Sequence, residues 1–233
     1  MTRSPPESID MSVATTLQAV PLFAHLADEE LARMGELTRQ RRHPKGSVIL
    51  FEDDPGDALY VVIEGRVKVV LIGEDGREVI LATLADGDFF GEMSLIDDEP
   101  RSAHVIAMEN SNLLVLLRND FQRCLEDNPR IALGLLRALT KRLRLADSKI
   151  GGLVLLDVTG RVARLLLEMA DENDGVVISR KVTHHQIAQM IGSSRETVSR
   201  TMRTLAEENL IEVAGKTISV RDREALESTA GLR

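Results

Sequence analysis

Tryptophan is absent, tyrosine occurs once and phenylalanine five times, so aromatics make up only 3% of this 233-residue chain. That scarcity excludes single-strand nucleic-acid binding of the kind that stacks bases on aromatic platforms. The one cysteine, Cys124, excludes an internal disulfide and any metal or iron–sulfur centre built from several cysteines of one chain. In the setting FQRCLEDN it reads as a small packed hydrophobe. No apolar run nears the roughly 18 residues that a bilayer crossing needs. The opening stretch MTRSPPESIDMSVATT also lacks the apolar centre of a signal peptide, so a cytoplasmic protein with no membrane partner is expected. Basic residues are outnumbered 29 to 37, and the net charge of −8 excludes a whole-molecule grip on nucleic acid while leaving room for a local basic face. There is no Walker-type glycine loop, no metal-ligand spacing and no Ser/His/Asp arrangement, so an enzyme is not expected.

What is present is a chain that changes character along its length. Residues 1–16, rich in Ser, Thr and Pro, read as a loose arm. PLFAHLADEELARMGEL follows with helical spacing and Asp28 as its N-cap candidate. Between Pro44 and about Leu117, apolar runs such as ALYVVIEG and RVKVVLIG alternate with turns. Glycines at 46, 56, 65, 76 and 87 keep the cadence of an antiparallel β-domain turning at each glycine. From about Ile131 to Leu156, the residues Ile131, Leu135, Leu139, Leu143, Ala146, Ile150 and Leu153 recur at spacings of 3 or 4. Such a rod of roughly 37 Å has the seam of a helix that pairs with another helix, and a parallel homodimer is expected.

The stretch VTHHQIAQMIGSSRETVSRTMRTLAEENLIEVAGKTISV carries two capping-box patterns, Thr183 with Gln186 and Ser193 with Glu196, and Gly192 lies between them. This is the pattern of a helix-turn-helix. On its second helix Val198, Met202 and Leu205 face a core. Arg195, Glu196, Ser199, Arg200 and Arg203 lie opposite, with a face charge of 3 − 1 = +2. Arginine can donate twice to guanine and glutamate can accept from cytosine, which suits the major groove of double-stranded DNA. LIEVAGKTISV reads as a hairpin turning at Gly215, a wing that offers Lys216 to phosphate.

GEMSLIDDEPRSA, LLDVTGRVA and IGSSRETVSR together resemble the catabolite activator (Crp/Fnr) family of bacterial transcription regulators, over about Leu17 to Arg221. The resemblance implies an α+β fold. An N-terminal cyclic-nucleotide-binding β-roll (a double-stranded β-helix or jelly roll) covers 17–128, a dimerisation helix covers 129–156 and a winged helix-turn-helix covers 157–233. It also implies that Gly91 lets backbone approach a cyclic phosphate, Glu92 accepts from the ribose 2′-OH, Met93 and Ser94 offer amides, Arg101 neutralises the phosphate and Ser102 adds a donor. On the DNA side it implies Thr183, His184, Ser194, Arg195, Glu196, Thr197, Ser199, Arg200 and Lys216. Cyclic-AMP receptors clamp adenine with a Thr-Ser pair on the dimer helix, where this chain has Ala146 and Asp147. Cyclic AMP is the expected ligand because the phosphate cassette is intact; the departure raises cyclic di-GMP as the alternative, in which case Arg142 and Arg144 would stack on or bind the second nucleotide. A family member that needs no ligand is a further alternative. No metal is expected, and His104 is expected to pack rather than to hold haem. RNA polymerase is an implied partner, and Leu156 to Asp157 an implied hinge. Replacement of Arg101 by alanine is expected to remove nucleotide binding and spare the fold.

Overall fold

The computed structural model describes residues 11–171, 177–178, 182–215 and 217–231. The chain divides into two compact units, Met1–Gly76 with Leu81–Arg142, and Arg77–Ile80 with Leu143–Arg233.

The first unit opens with two helices, α1 (Met11–Ala19) and α2 (Asp28–Leu37). Part of the expected arm is thus helical, because Leu17 and Val20 reach the core at 1% and 0% exposure. Asp28 is the first residue of α2 and not its cap. The N-cap is Ala27, whose N–H donates to the Glu30 carboxylate at 2.8 Å. Eight strands follow: β1 (Thr38–His43), β2 (Val48–Leu50), β3 (Ala58–Glu64), β4 (Val67–Ile72), β5 (Glu78–Leu84), β6 (Phe89–Phe90), β7 (His104–Ala107) and β8 (Ser111–Leu117). They form two four-stranded sheets, ordered β1-β8-β3-β6 and β2-β7-β4-β5. Gly46, Gly65, Gly76 and Gly87 have φ between 77° and 106° at the turns, a region that L side chains avoid. Gly56, expected to serve the same way, lacks a positive φ and is small for another reason, a close approach to Ser94.

A single turn, α3 (Met93–Ile96), interrupts the roll between β6 and β7. After the strands come α4 (Arg118–Asp127) and the long α5 (Pro129–Leu155). Phe121, Ile131 and Leu135 join Phe23, Leu31, Phe89, Leu95 and Leu114 in one core cluster. A second cluster, with Tyr60, Val62, Phe90 and Leu113, lies within the roll.

The second unit contains α6 (Val158–Asp171), β9 (Val177–Ile178), α7 (His184–Ile191), α8 (Arg195–Glu207), β10 (Ile211–Ala214), β11 (Thr217–Val220) and α9 (Arg223–Thr229). Its sheet is ordered β10-β11-β9, and its core joins Val162, Leu166, Ile187, Val198, Met202, Leu205 and Leu226. No helix among the described residues is long and apolar enough to cross a membrane.

Candidate functional site

The segment from Gly91 to Arg101 is stitched to the β2–β3 connection by backbone. Asp53 N–H donates to the Arg101 carbonyl, and Arg101 N–H donates to that of Asp54, both at 2.9 Å. Arg101 is 3% exposed. Its Nη1 donates to the Gly91 carbonyl at 2.6 Å and its Nη2 to that of Ala58 at 2.9 Å, with the Asp57 carboxylate at 3.4 Å. Its Nε is buried and unpartnered. Gly91 holds φ +85°, and a Cβ there would lie 2.7 Å from Arg101 Nη1, so glycine is required for the close approach. Gly56 packs as tightly: a Cβ on it would come within 2.2 Å of Ser94 Cβ.

Glu92 is 2% exposed. One carboxylate oxygen accepts from Arg142 Nη1 at 2.6 Å, and Oε2 is buried without a partner. Arg142 also donates to the Phe89 carbonyl, and its guanidinium lies 4.6 Å from the Phe89 ring centroid. Arg142 is thus engaged with Glu92 and Phe89. Met93 is exposed and Ser94 buried. Ser102 is exposed, with its hydroxyl 3.8 Å from Met93 Sδ. Asp147 and Arg144 are exposed on α5. His104 accepts from the Glu52 N–H through Nδ1 at 3.2 Å and has the Glu52 carboxylate 3.5 Å from Nε2.

In the second unit Thr183 caps α7. Its hydroxyl accepts from Gln186 N–H at 3.2 Å, and the Gln186 side chain accepts from Thr183 N–H at 3.0 Å. Gly192, with φ 64°, ends α7, and both its N–H and that of Ser193 donate to the Ala188 carbonyl. Ser194 caps α8, accepting from Thr197 N–H at 3.1 Å, so the cap lies one residue beyond the expected Ser193, and α8 has this cap in place of the expected Ser193–Glu196 box. The Thr197 hydroxyl shares a 2.9 Å hydrogen bond with that of Ser194. Val198, Met202 and Leu205 are buried, whereas Arg195, Glu196, Arg200 and Arg203 are exposed and Ser199 is half-buried. His184 is half-buried at the start of α7 and His185 exposed. Gly215 turns the β10–β11 hairpin with φ 63°, and Lys216 lies outside the described residues.

Residues 40–128 match the model of the cyclic nucleotide-binding domain, and residues 160–229 that of the Crp-like helix-turn-helix domain. The cyclic AMP receptor protein of Thermus thermophilus is 37% identical, an alignment that covers 92% of this chain and 98% of the relative. The chain belongs to the Crp/Fnr family. A second relative, the CRP-like cAMP-activated global transcriptional regulator of Mycobacterium tuberculosis, is 34% identical over 85% of this chain and 97% of its own length. Among solved structures, the c-di-GMP responsive global regulator CLP of Xanthomonas campestris superimposes with a TM-score of 0.73. It is 27% identical, covering 83% of this chain and 99% of that one. This Crp-family chain is a DNA-binding transcription regulator with a cyclic nucleotide-binding domain, and not an enzyme.

The Crp-like fold brings together two charges that the sequence keeps 50 residues apart, Glu92 and Arg142. No local spacing in the sequence announces the pair. No group of three or more His, Cys, Asp or Glu able to hold a metal occurs among the described residues.

Proposed function

We propose that this protein is a homodimeric regulator whose affinity for a two-fold symmetric DNA site is set allosterically by a cyclic nucleotide, with cyclic AMP the favoured ligand. One observation carries the ligand reading: Glu92 and Arg101, almost fully buried, each keep one polar atom unpartnered. Buried polar groups are nearly always satisfied, and an orphaned acceptor and an orphaned cationic donor suit a sugar hydroxyl and a phosphate. Glu92 Oε2 would take the ribose hydroxyl while Arg142 fixes the other oxygen. Arg101 would meet the phosphate through Nε and its charge, since its Nη groups serve Gly91 and Ala58. Gly91, Met93, Ser94 and Ser102 complete the proposed ligand set, and Asp147 is the residue proposed for the base. The names of the Thermus and Mycobacterium relatives favour cyclic AMP. Ala146 and Asp147 in place of Thr-Ser, and the c-di-GMP responsive neighbour, favour cyclic di-GMP as the second reading.

Leu136, Leu143 and Ile150, seven residues apart on α5, are 61%, 62% and 59% exposed in the single chain. An uncovered heptad stripe supports pairing of two copies through this helix. Arg195, Glu196, Ser199 and Arg200, with Thr183, His184, Ser194, Thr197 and Lys216 beside them, are the proposed DNA contacts. Two α8 helices about 34 Å apart would fill successive major grooves. Ligand would act through α5 and the Leu156–Asp157 junction, and coupling requires that ligand and DNA change each other's affinity by the same factor. The cytoplasm is the proposed site of action and RNA polymerase a proposed partner.

Calorimetry with cyclic AMP, cyclic GMP and cyclic di-GMP, followed by fluorescence anisotropy on a symmetric operator at saturating ligand, tests this reading. Tight binding of one nucleotide together with a shifted operator affinity is expected. Operator affinity that ignores a bound nucleotide would remove the allosteric claim.

A further inference from the structure

Arg118, the first residue of α4, joins three segments that the sequence holds apart. Its Nη2 donates to the Gly56 carbonyl at 2.8 Å and to the Ser94 carbonyl at 2.7 Å, and its Nε reaches the Gly56 carbonyl at 3.2 Å. Nη1 pairs with the Asp98 carboxylate, and the Arg118 backbone N–H donates to the Asp57 carbonyl at 2.8 Å. One guanidinium thus spans the β2–β3 connection, the turn α3 and the second residue beyond it.

The turn α3 cannot hold its position by its own hydrogen bonds. A helix of four residues is shorter than any that is stable by itself, and the carbonyls of its last turn have no partner within it. A cation donating to such a carbonyl satisfies it and suits the helix dipole. Gly56 and Ser94 must also sit close enough that no Cβ fits between them. Arg118 holds the carbonyls of those same two residues, so the separation is fixed by a planar fork rooted in α4. That root is firm: Phe121, one turn further along α4, is fully buried in the core shared with Leu95 of α3. Lysine, a single compact charge, cannot reproduce a fork that serves two acceptors at once.

We propose that Arg118 is a positioning residue of the cyclic-nucleotide site, setting the placement of α3, and with it Glu92 to Ser94, against Gly56. The proposal rests on the nucleotide reading given above. Its test is calorimetry of the full chain with cyclic AMP and cyclic di-GMP, comparing wild type, Arg118→Ala, Arg118→Lys and Asp98→Ala. Arg118→Ala is expected to weaken binding on the order of tenfold, the scale of one lost charge-assisted hydrogen bond. Arg118→Lys should recover part of that loss, and Asp98→Ala, which spares the carbonyl contacts, should stay within about twofold, as exposed ion pairs do. Wild-type affinity in Arg118→Ala, full recovery in Arg118→Lys, or a tenfold loss in Asp98→Ala each overturns the proposal. Amide hydrogen exchange of ligand-free protein is the independent arm. Residues 92–98 should exchange faster in Arg118→Ala while α8 is unchanged, and unchanged exchange in 92–98 overturns the proposal even where folding yield is low. A wild type that binds neither nucleotide would sink the nucleotide reading instead, and the exchange arm would still decide what Arg118 holds.

Discussion

Glu92 and Arg101 are 2% and 3% exposed and bonded into their own unit, whereas Arg195, Arg200 and Arg203 stand in solvent with no ion pair to another described residue. Both are charged sites in an acidic protein, yet they are built for ligands of different scale. A small ligand can be enclosed, so its site is organised in advance by burial, and each charge there also satisfies carbonyls or carboxylates of the fold. A duplex cannot be enclosed, and the arginines that meet it stay hydrated until it arrives. The first design couples ligand affinity to stability. The second leaves stability untouched and makes affinity depend on salt.

The largest effect that would sharpen this contrast is at Arg101. Its replacement by alanine strips donors from the Gly91 and Ala58 carbonyls, and losing such partners costs about 1 to 3 kcal/mol for each buried group. The resemblance alone implied that this change spares the fold; the buried geometry predicts lost nucleotide binding together with destabilisation of about 3 kcal/mol. Scanning calorimetry and nucleotide titration of one preparation check both. A melting temperature equal to the wild type's would mean that Arg101 holds other partners in solution.

Next is the opposite arm. Arg195→Ala and Arg200→Ala should each cost about 1 to 3 kcal/mol on the cognate operator, while stability stays within about 0.5 kcal/mol. Anisotropy titrations on cognate and scrambled operators separate base readers from phosphate contacts. An equal loss on both sequences would assign that arginine to the backbone.

Which residues could be read from the sequence follows the same division. The α8 stripe is local: Val198, Met202 and Leu205 recur at helical spacing, and the exposed arginines follow from it without any distant contact. The glycine cadence gave the strands for the same reason. What escaped was long-range or marginal. Thr38–His43 precedes the apolar runs and carries none itself, because it is an edge strand, paired among the described residues only with β8 and with no residue buried. Phe89–Phe90 is too short to show alternation. The roles of Arg118 and Arg142 depend on partners 24 to 62 residues away, which no periodicity encodes.

A smaller effect tests the exposed design at its scaffold. Ser194→Ala removes the N-cap of α8 and should cost about 1 kcal/mol of stability. It should also weaken operator binding less than Arg195→Ala does, because the helix would fray and keep its arginines. A larger loss than that of Arg195→Ala would make the proposed Ser194 contact with DNA, and not its cap, the dominant role of that hydroxyl.

The smallest expected effect lies in the roll and away from both sites. Burial, and secondarily the Arg41 charge, lower the His43 pKa below its ordinary 6.5, and its Nε2 is buried without a partner. With the folded value depressed, the unfolded chain takes up this proton at a higher pH than the folded roll does. Stability linked to His43 is therefore fully present above 6.5 and is lost as pH falls from there toward the folded value. Urea unfolding at pH ~7.5 and ~5.5, on either side of an ordinary histidine pKa, should show the roll losing more stability in wild type than in His43→Gln. The α8 operator contacts of the variant, read by anisotropy at pH ~7.5, should be unaffected, since this proton belongs to the buried design and not the exposed one. An equal acid loss in wild type and His43→Gln would assign the acid sensitivity of the roll to other groups.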